Sequence, residues 1–209
     1  MVVLFPDTQI SFTRVLILVY MFYMGRMSTI NEAQVFGAVG THLAQRGSIT
    51  LQDVVKAAGV SVGSIYHHYG SREELLARTW VDAVTAFQTR FLAELESGGP
   101  DAGERTAMVT PQFCREEADR ATVLVCCRRE ELISDSLPAH LVQQIQTINK
   151  TATARLMNFA KSNGYSLEAC KLGLIAYPLG AVRFYLPNQK IPKSVDDYVR
   201  AAYLSAVEL

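Results

Sequence analysis

The sequence predicts an all-α protein in which a small three-helix unit precedes a larger helical one. Three observations predict it. There is no sustained period-two alternation and no Asn-Gly or Asp-Gly hairpin signal. A hydroxyl or Asp is followed three residues later by an acid at Thr29/Glu32, Thr50/Asp53, Ser71/Glu74, Asp101/Glu104 and Ser194/Asp197, which is capping-box spacing. Between these marks apolar residues recur at intervals of three and four.

In chain order, residues 1–27 read as an apolar extension around the run Val15–Met24. Crossing a bilayer takes ~20 such residues, so no membrane span is expected. No small-x-small cleavage site follows the run. The extension reads as sequence upstream of a working start at Met27, with an apolar arm packed on the body or a partner as the alternative.

The first helix is expected over 30–45, with Val35, Phe36, Val39 and Leu43 inward and Gly47 after its end. Short helices at 51–58 and 62–69 are separated by Gly59 and capped by Thr50 and Ser61. Ser71 then caps a long helix to Leu95, with Leu76, Trp80, Val84, Phe87 and Phe91 in line. The break "SGGPD" leads to helices near 102–116, 119–133, 138–162, 167–186 and 194–207. Helices below ~12 residues are marginal alone, so 51–58 and 62–69 need the first helix and the start of the long one as a platform. Two short helices around a tight Gly-Val-Ser turn on such a platform form a helix-turn-helix pattern.

Composition narrows the function classes. Hydrophobic residues make up 49% of the chain, enough for a substantial core. Lys+Arg and Asp+Glu both number 20, which excludes a wholly basic surface but not a local patch. Cys114, Cys126, Cys127 and Cys170 match no zinc spacing and read as thiols in a reducing cytoplasm. A thiol switch at Cys126 or Cys127 is the alternative, because Arg128 and Arg129 follow and cations lower a thiol pKa. Adjacent His67 and His68 diverge and lack a third ligand, so no metal or cofactor is expected. Paired carboxylates, a phosphate loop and a nucleophile with an evident base are all missing, which argues against an enzyme.

On helix 62–69, Ile65 and Tyr69 share the inward face with Val60 just before it. Val62, Ser64, Tyr66 and His67 fall on the outward side, and Gly63 removes a side chain where a ligand could come close. The helix N-terminus at Ser61 suits a phosphate oxygen, Ser64 suits a base edge, and Tyr66 and His67 can donate to phosphate. Thr50 is a cap first and a phosphate ligand second. A half-buried Tyr66 and a solvated histidine corner are the plain structural alternatives.

The stretch "TLQDVVKAAGVSVGSIYHHYGSREELL" resembles the DNA-binding segment of the tetracycline-repressor (TetR) family. Thr50, Val54, Ala58, Gly59, Val60, Ser61, Gly63, Ser64, Ile65, Tyr66, His68, Arg72 and Leu75 fall on that family's pattern. The resemblance covers about 30 residues strongly, reaches the first helix loosely through "HLAQRG", and matches the remainder only in helix count. It departs at Tyr69, where the family usually has Phe, at Val55 for a small Ala, and at Val62 for Lys, Arg or Pro. The loop "GSIT" is also short. The resemblance implies a DNA-binding unit over 28–75 and a ligand-binding and dimerisation unit over 76–209. DNA contacts are then expected at Thr50, Ser61, Val62, Gly63, Ser64, Tyr66, His67 and Arg72. Residues 28–78 hold Arg46, Lys56, Arg72 and Arg78 against Glu32, Asp53, Glu73 and Glu74, so nonspecific DNA binding should be weak.

The resemblance also implies a homodimer on a double-stranded operator and an internal pocket for a small apolar ligand. Met108, Phe113, Cys114, Cys127, His140, Phe159, Tyr177 and Phe184 are the expected lining, with core packing the alternative for each. Helix 167–186 is apolar almost all round, and Pro178 should kink it and free the Leu174 carbonyl. Gly173, Gly180 and Ala181 allow another helix close. That helix and the stripe Val195, Val199, Ala202, Tyr203, Ala206 are expected to pair with their copies, or else to cover the chain's own core. The function expected is a ligand-released transcriptional repressor, against a helical ligand-binding or protein-interaction module that has lost DNA binding.

Overall fold

The computed structural model describes residues 30–208, so the apolar run Val15–Met24 and the expected cap Thr29 lie outside the described residues. Every regular element within them is helical. Helix α1, Glu32–Arg46, is capped by Asn31, whose Oδ1 accepts the Gln34 N–H at 3.3 Å, so the cap sits two residues later than the expected Thr29. Helices α2, Leu51–Ala58, and α3, Val62–Tyr69, begin where Thr50 and Ser61 accept the N–H groups of Asp53 and Ser64. Between them Gly59 takes φ 64°, a left-handed turn that costs a glycine little.

Helix α4, Arg72–Glu96, runs unbroken through the expected boundary at residue 75. It is followed by α5, Ala102–Glu116, with Pro111 inside it, and α6, Ala118–Cys126. The single helix expected over 119–133 is interrupted. Cys127 and Arg128 are extended, and one further turn, α7, covers Arg129–Leu132. Cys127 and Leu132 are both buried. Five residues apart on one helix they would diverge by about 140°, and the extended link lets both face inward.

The helix expected over 138–162 is nearly continuous, as α8, Ala139–Thr147, and α9, Asn149–Asn163. The irregularity expected at Pro178 falls in the turn just before it. Helix α10, Leu167–Lys171, widens into a π turn over Leu172–Ala176, in which the Tyr177 N–H reaches the Leu172 carbonyl. Helix α11, Tyr177–Arg183, follows without a break and carries Pro178 as its second residue, directly after the π turn. Helix α12, Val195–Glu208, closes the described fold.

Phe91, Met108, Phe113, Leu156, Leu174, Val182, Val199 and Tyr203 belong to one buried core. The stripe expected to meet a partner faces this core instead: Val195, Val199, Tyr203 and Ala206 are buried within the chain. Gly173 packs on Tyr203, where an added Cβ would lie 3.0 Å from Cδ2, so the close approach it permits is internal. The outward side of the pair is Leu172, Ala176, Gly180 and Phe184 on one helix and Tyr198, Ala201 and Leu204 on the other.

The small unit is tied to the rest at two places. Arg72 Nε donates to the Ile49 carbonyl at 3.1 Å, fixing the loop before α2 to the start of α4. On the other side α1 lies on α6, where Thr41 Oγ1 donates to Asp119 Oδ1 at 3.1 Å. The start of α6 is also held to α4 by Arg120 on Asp82, at 2.8 Å, and by Arg90 on Glu117, at 2.9 Å. These pairs are partly exposed, so they set geometry more than they add stability.

Candidate nucleic-acid interface and ligand cavity

Helix α3 presents two chemically distinct sides. Ile65 and Tyr69 are fully buried against the platform, and Phe36 of α1 stacks near Tyr69 with ring centroids 6.1 Å apart. On the opposite side Tyr66 is 52% exposed and Val62 42%, with Gly63 and His67 open beside them. Around a Cβ added at Gly63 the nearest atom would be Ser61 Oγ at 3.8 Å, so the outer surface is free there. Tyr66 is therefore not a core tyrosine.

The hydroxyls are partly committed. Ser61 Oγ accepts the Ser64 N–H at 3.0 Å and lies 2.8 Å from Ser64 Oγ. Thr50 Oγ1 accepts the Asp53 N–H at 3.2 Å and donates to Asp53 Oδ2 at 2.8 Å. That hydrogen bond, with help from Arg46, holds the Asp53 carboxyl below the usual carboxylate range. Arg72, expected on DNA, is partly committed within the chain: its Nε donates to the Ile49 carbonyl and its Nη1 lies 3.5 Å from Glu73.

Charge in this unit is largely self-paired. Arg46 meets Asp53 at 2.9 Å, Arg78 meets Glu74 at 2.6 Å, and His68 Nε2 lies 3.1 Å from Glu32. Among the described residues of 31–78, Lys56 is the cation without an ion-pair partner. The His68–Glu32 link between α3 and α1 was not legible in the sequence, because it joins residues 36 apart.

A cavity of about 340 Å³ opens in the larger unit. Trp80, Val84 and Phe87 of α4, Phe113 and Cys114 of α5, Leu124 and Val125 of α6, and Ile175 and Leu179 make most of its wall. Of the expected lining, the structure brings together Phe113, Cys114 and Cys127. Met108 and Phe159 border separate depressions. His140 is exposed, one residue off the inward pair Leu141 and Ile145. Tyr177 and Phe184 are 43% and 80% exposed on the side of their helix away from Leu174 and Val182. Trp80 and Arg183 border the cavity and were missed: Trp80 read as core, and the lone charge ending an apolar helix was the signal for Arg183.

The thiols do not behave as the neighbouring arginines suggested. Burial pushes Cys127 up to about 11 and Cys114 up to about 12, and burial also raises Cys126. A thiolate switch is therefore disfavoured. Among the described residues no group of three or more His, Cys, Asp or Glu side chains could hold a metal ion, and no helix is long and apolar enough to cross a membrane.

Residues 34–79 match the family model described as "Bacterial regulatory proteins, tetR family". Solved structures support the same fold over most of the chain. The tetR-family regulator PfmR from Thermus thermophilus superposes with TM-score 0.64 at 17% identity, covering 84% of this chain and 97% of its own. A tetR-family regulator from Marinobacter aquaeolei gives 0.66 at 17% identity, covering 85% and 93%. One from a Shewanella species, described as putative, gives 0.60 at 14%, covering 85% and 96%. No curated protein matches the chain. At these identities the structures speak for the fold, while the match over 34–79 speaks for the outward α3 and its platform. Residues 34–79 thus carry a segment of the tetR-family regulatory type, and the described chain has the helical fold of tetR-family regulators.

Proposed function

We propose that the chain is a ligand-released repressor that binds a pseudo-palindromic operator as a homodimer. The observation that carries the reading is α3, buried along Ile65 and Tyr69 and bare along Val62, Gly63, Tyr66 and His67. That bare side enters the major groove, Ser61 and Thr50 meet phosphates at helix N-termini, and Ser64 reaches a base edge. Two copies would set their recognition helices about 34–36 Å apart, one helical turn of DNA.

The homodimer is supported by the outward stripe Leu172, Ala176, Gly180 and Phe184 beside Tyr198 and Leu204. Contiguous exposed apolar side chains on two neighbouring helices suit a self-complementary interface. The ligand is supported by the cavity, which lies between α4 and α6, the helices that link the body to the DNA-binding unit. A ligand acts only through different affinities for two states, so it must favour a body arrangement that spoils the DNA spacing.

The test is a gel shift on DNA upstream of the coding region, with wild type and Tyr66→Ala. Tyr66 is exposed, so its truncation should weaken binding while leaving the thermal melt unchanged. Equal affinity for both proteins would refute the recognition helix.

A further inference from the structure

The cavity has a charge imbalance that its apolar wall does not require. Arg128, Arg129 and Arg183 border it, with Glu130 the acid among them. Arg129 Nη2 is held by Glu130 at 3.1 Å, and Arg128 Nε lies 3.9 Å from Glu131. Arg183 makes no ion pair among the described residues. It follows Ile175 and Leu179 at intervals of four, so its stem continues the row of side chains that walls the cavity.

A guanidinium without a carboxylate offers five donors and no acceptor, in a fork that fits a carboxylate with two parallel bonds. Arg183 is exposed, so its charge stays hydrated until a ligand arrives. One free guanidinium balances one negative charge, which suits a monoanion better than a dianionic phosphate. A water-sized group occupies ~30 Å³, so the cavity holds an apolar body of roughly ten such groups.

We propose that the effector is an amphipathic carboxylate, its head on Arg183 and its apolar body against Trp80, Phe87 and Phe113. This rests on the reading of the cavity as the effector site and adds the ligand's chemical class. The head stays at the rim and the body displaces water from an apolar wall, so no unpaired charge is buried.

Trp80 is the chain's single tryptophan and borders the cavity, so its fluorescence reports occupancy. The full-length protein is titrated with decanoate, 1-decanol and decyltrimethylammonium. Decanoate should give a saturable change and bind roughly tenfold or more tightly than decanol, the scale of a hydrogen-bonded charge. Arg183→Gln should abolish that advantage and leave decanol unaffected, whereas Arg128→Gln should keep it. The proposal is overturned if decanoate gives no saturable response, if decanol or the cation binds as well, or if Arg183→Gln binds decanoate like wild type. A parallel gel shift separates the two readings. Decanoate that binds at Arg183 without releasing DNA refutes the effector role and leaves the site, whereas release by decanol alone refutes the carboxylate and leaves the effector role.

Discussion

Gly40 of α1 lies so close to Asp119 at the start of α6 that a Cβ on it would come within 2.5 Å of the Asp119 carbonyl oxygen. The clash is with backbone, so it cannot be relieved by rotating a side chain. Gly40→Ala should therefore push α1 off α6 and cost about 1–3 kcal/mol, despite alanine's better helix propensity. Thermal melts would read this as a lower Tm. An unchanged or higher Tm would mean that the two helices are not seated this tightly.

Tyr69 is buried with a hydroxyl that has no hydrogen-bond partner. Burial first, and then Glu32, push that phenol well above its usual range. Tyr69→Phe removes the unsatisfied group and should stabilise the fold by about 1 kcal/mol. Denaturant midpoints compared at equal m-value would show it, and a loss of stability would imply a partner for the hydroxyl.

Phe184, 80% exposed on the outward stripe, has little to do within one chain. Phe184→Glu should leave the melt of the monomer fold intact but abolish the proposed self-association in sedimentation velocity. Retention of the dimer would place the interface elsewhere.

The self-paired cations of residues 31–78 leave Lys56 as the charge available to phosphate. The slope of log affinity against log salt scales with phosphates neutralised, so it should be shallower than that of a protein making ~6–10 such contacts. Lys56→Ala should reduce it by about 1 per subunit if Lys56 meets DNA. A steep slope, unchanged by that substitution, would indicate cations outside this segment.

Cys127 and Cys114, held near 11 and 12 by burial, should react slowly with iodoacetamide at pH 8 compared with a free thiol of pKa ≈ 8.5. Unfolded thiols ionise from about pH 8.5 while the folded ones stay protonated, so stability present below that pH is lost as it rises toward 11 and 12. Fast alkylation at pH 8 would show that the sites open.

Much of this was legible in advance because it is local. Thr50, Ser61 and Ser71 cap the helices that their spacing implies, and Gly59 turns between α2 and α3 because neighbouring residues alone decide it. The outward side of α3 followed from four-residue spacing. What was hidden depended on distant partners. Asp119 under Gly40, Glu32 on His68 and Ile49 on Arg72 are separated from those partners by long stretches of chain. The cavity was legible only in part, since any apolar side chain fits a core as well as a pocket. The inward stripe of α12 shows the same ambiguity, resolved by Gly173 under Tyr203.

The π turn at Leu172–Ala176 sets the phase of everything after it. A π turn holds one residue more than the α-helix it interrupts, and each residue of α-helix advances about 100°. Deleting one residue there would let the helix run regularly and swing Arg183 and Phe184 around its axis together. Side chains that now wall the cavity would be carried toward the outer stripe, and those of the stripe would turn away from a partner. A single surplus residue thus keeps the interior and exterior rows of this helix in step.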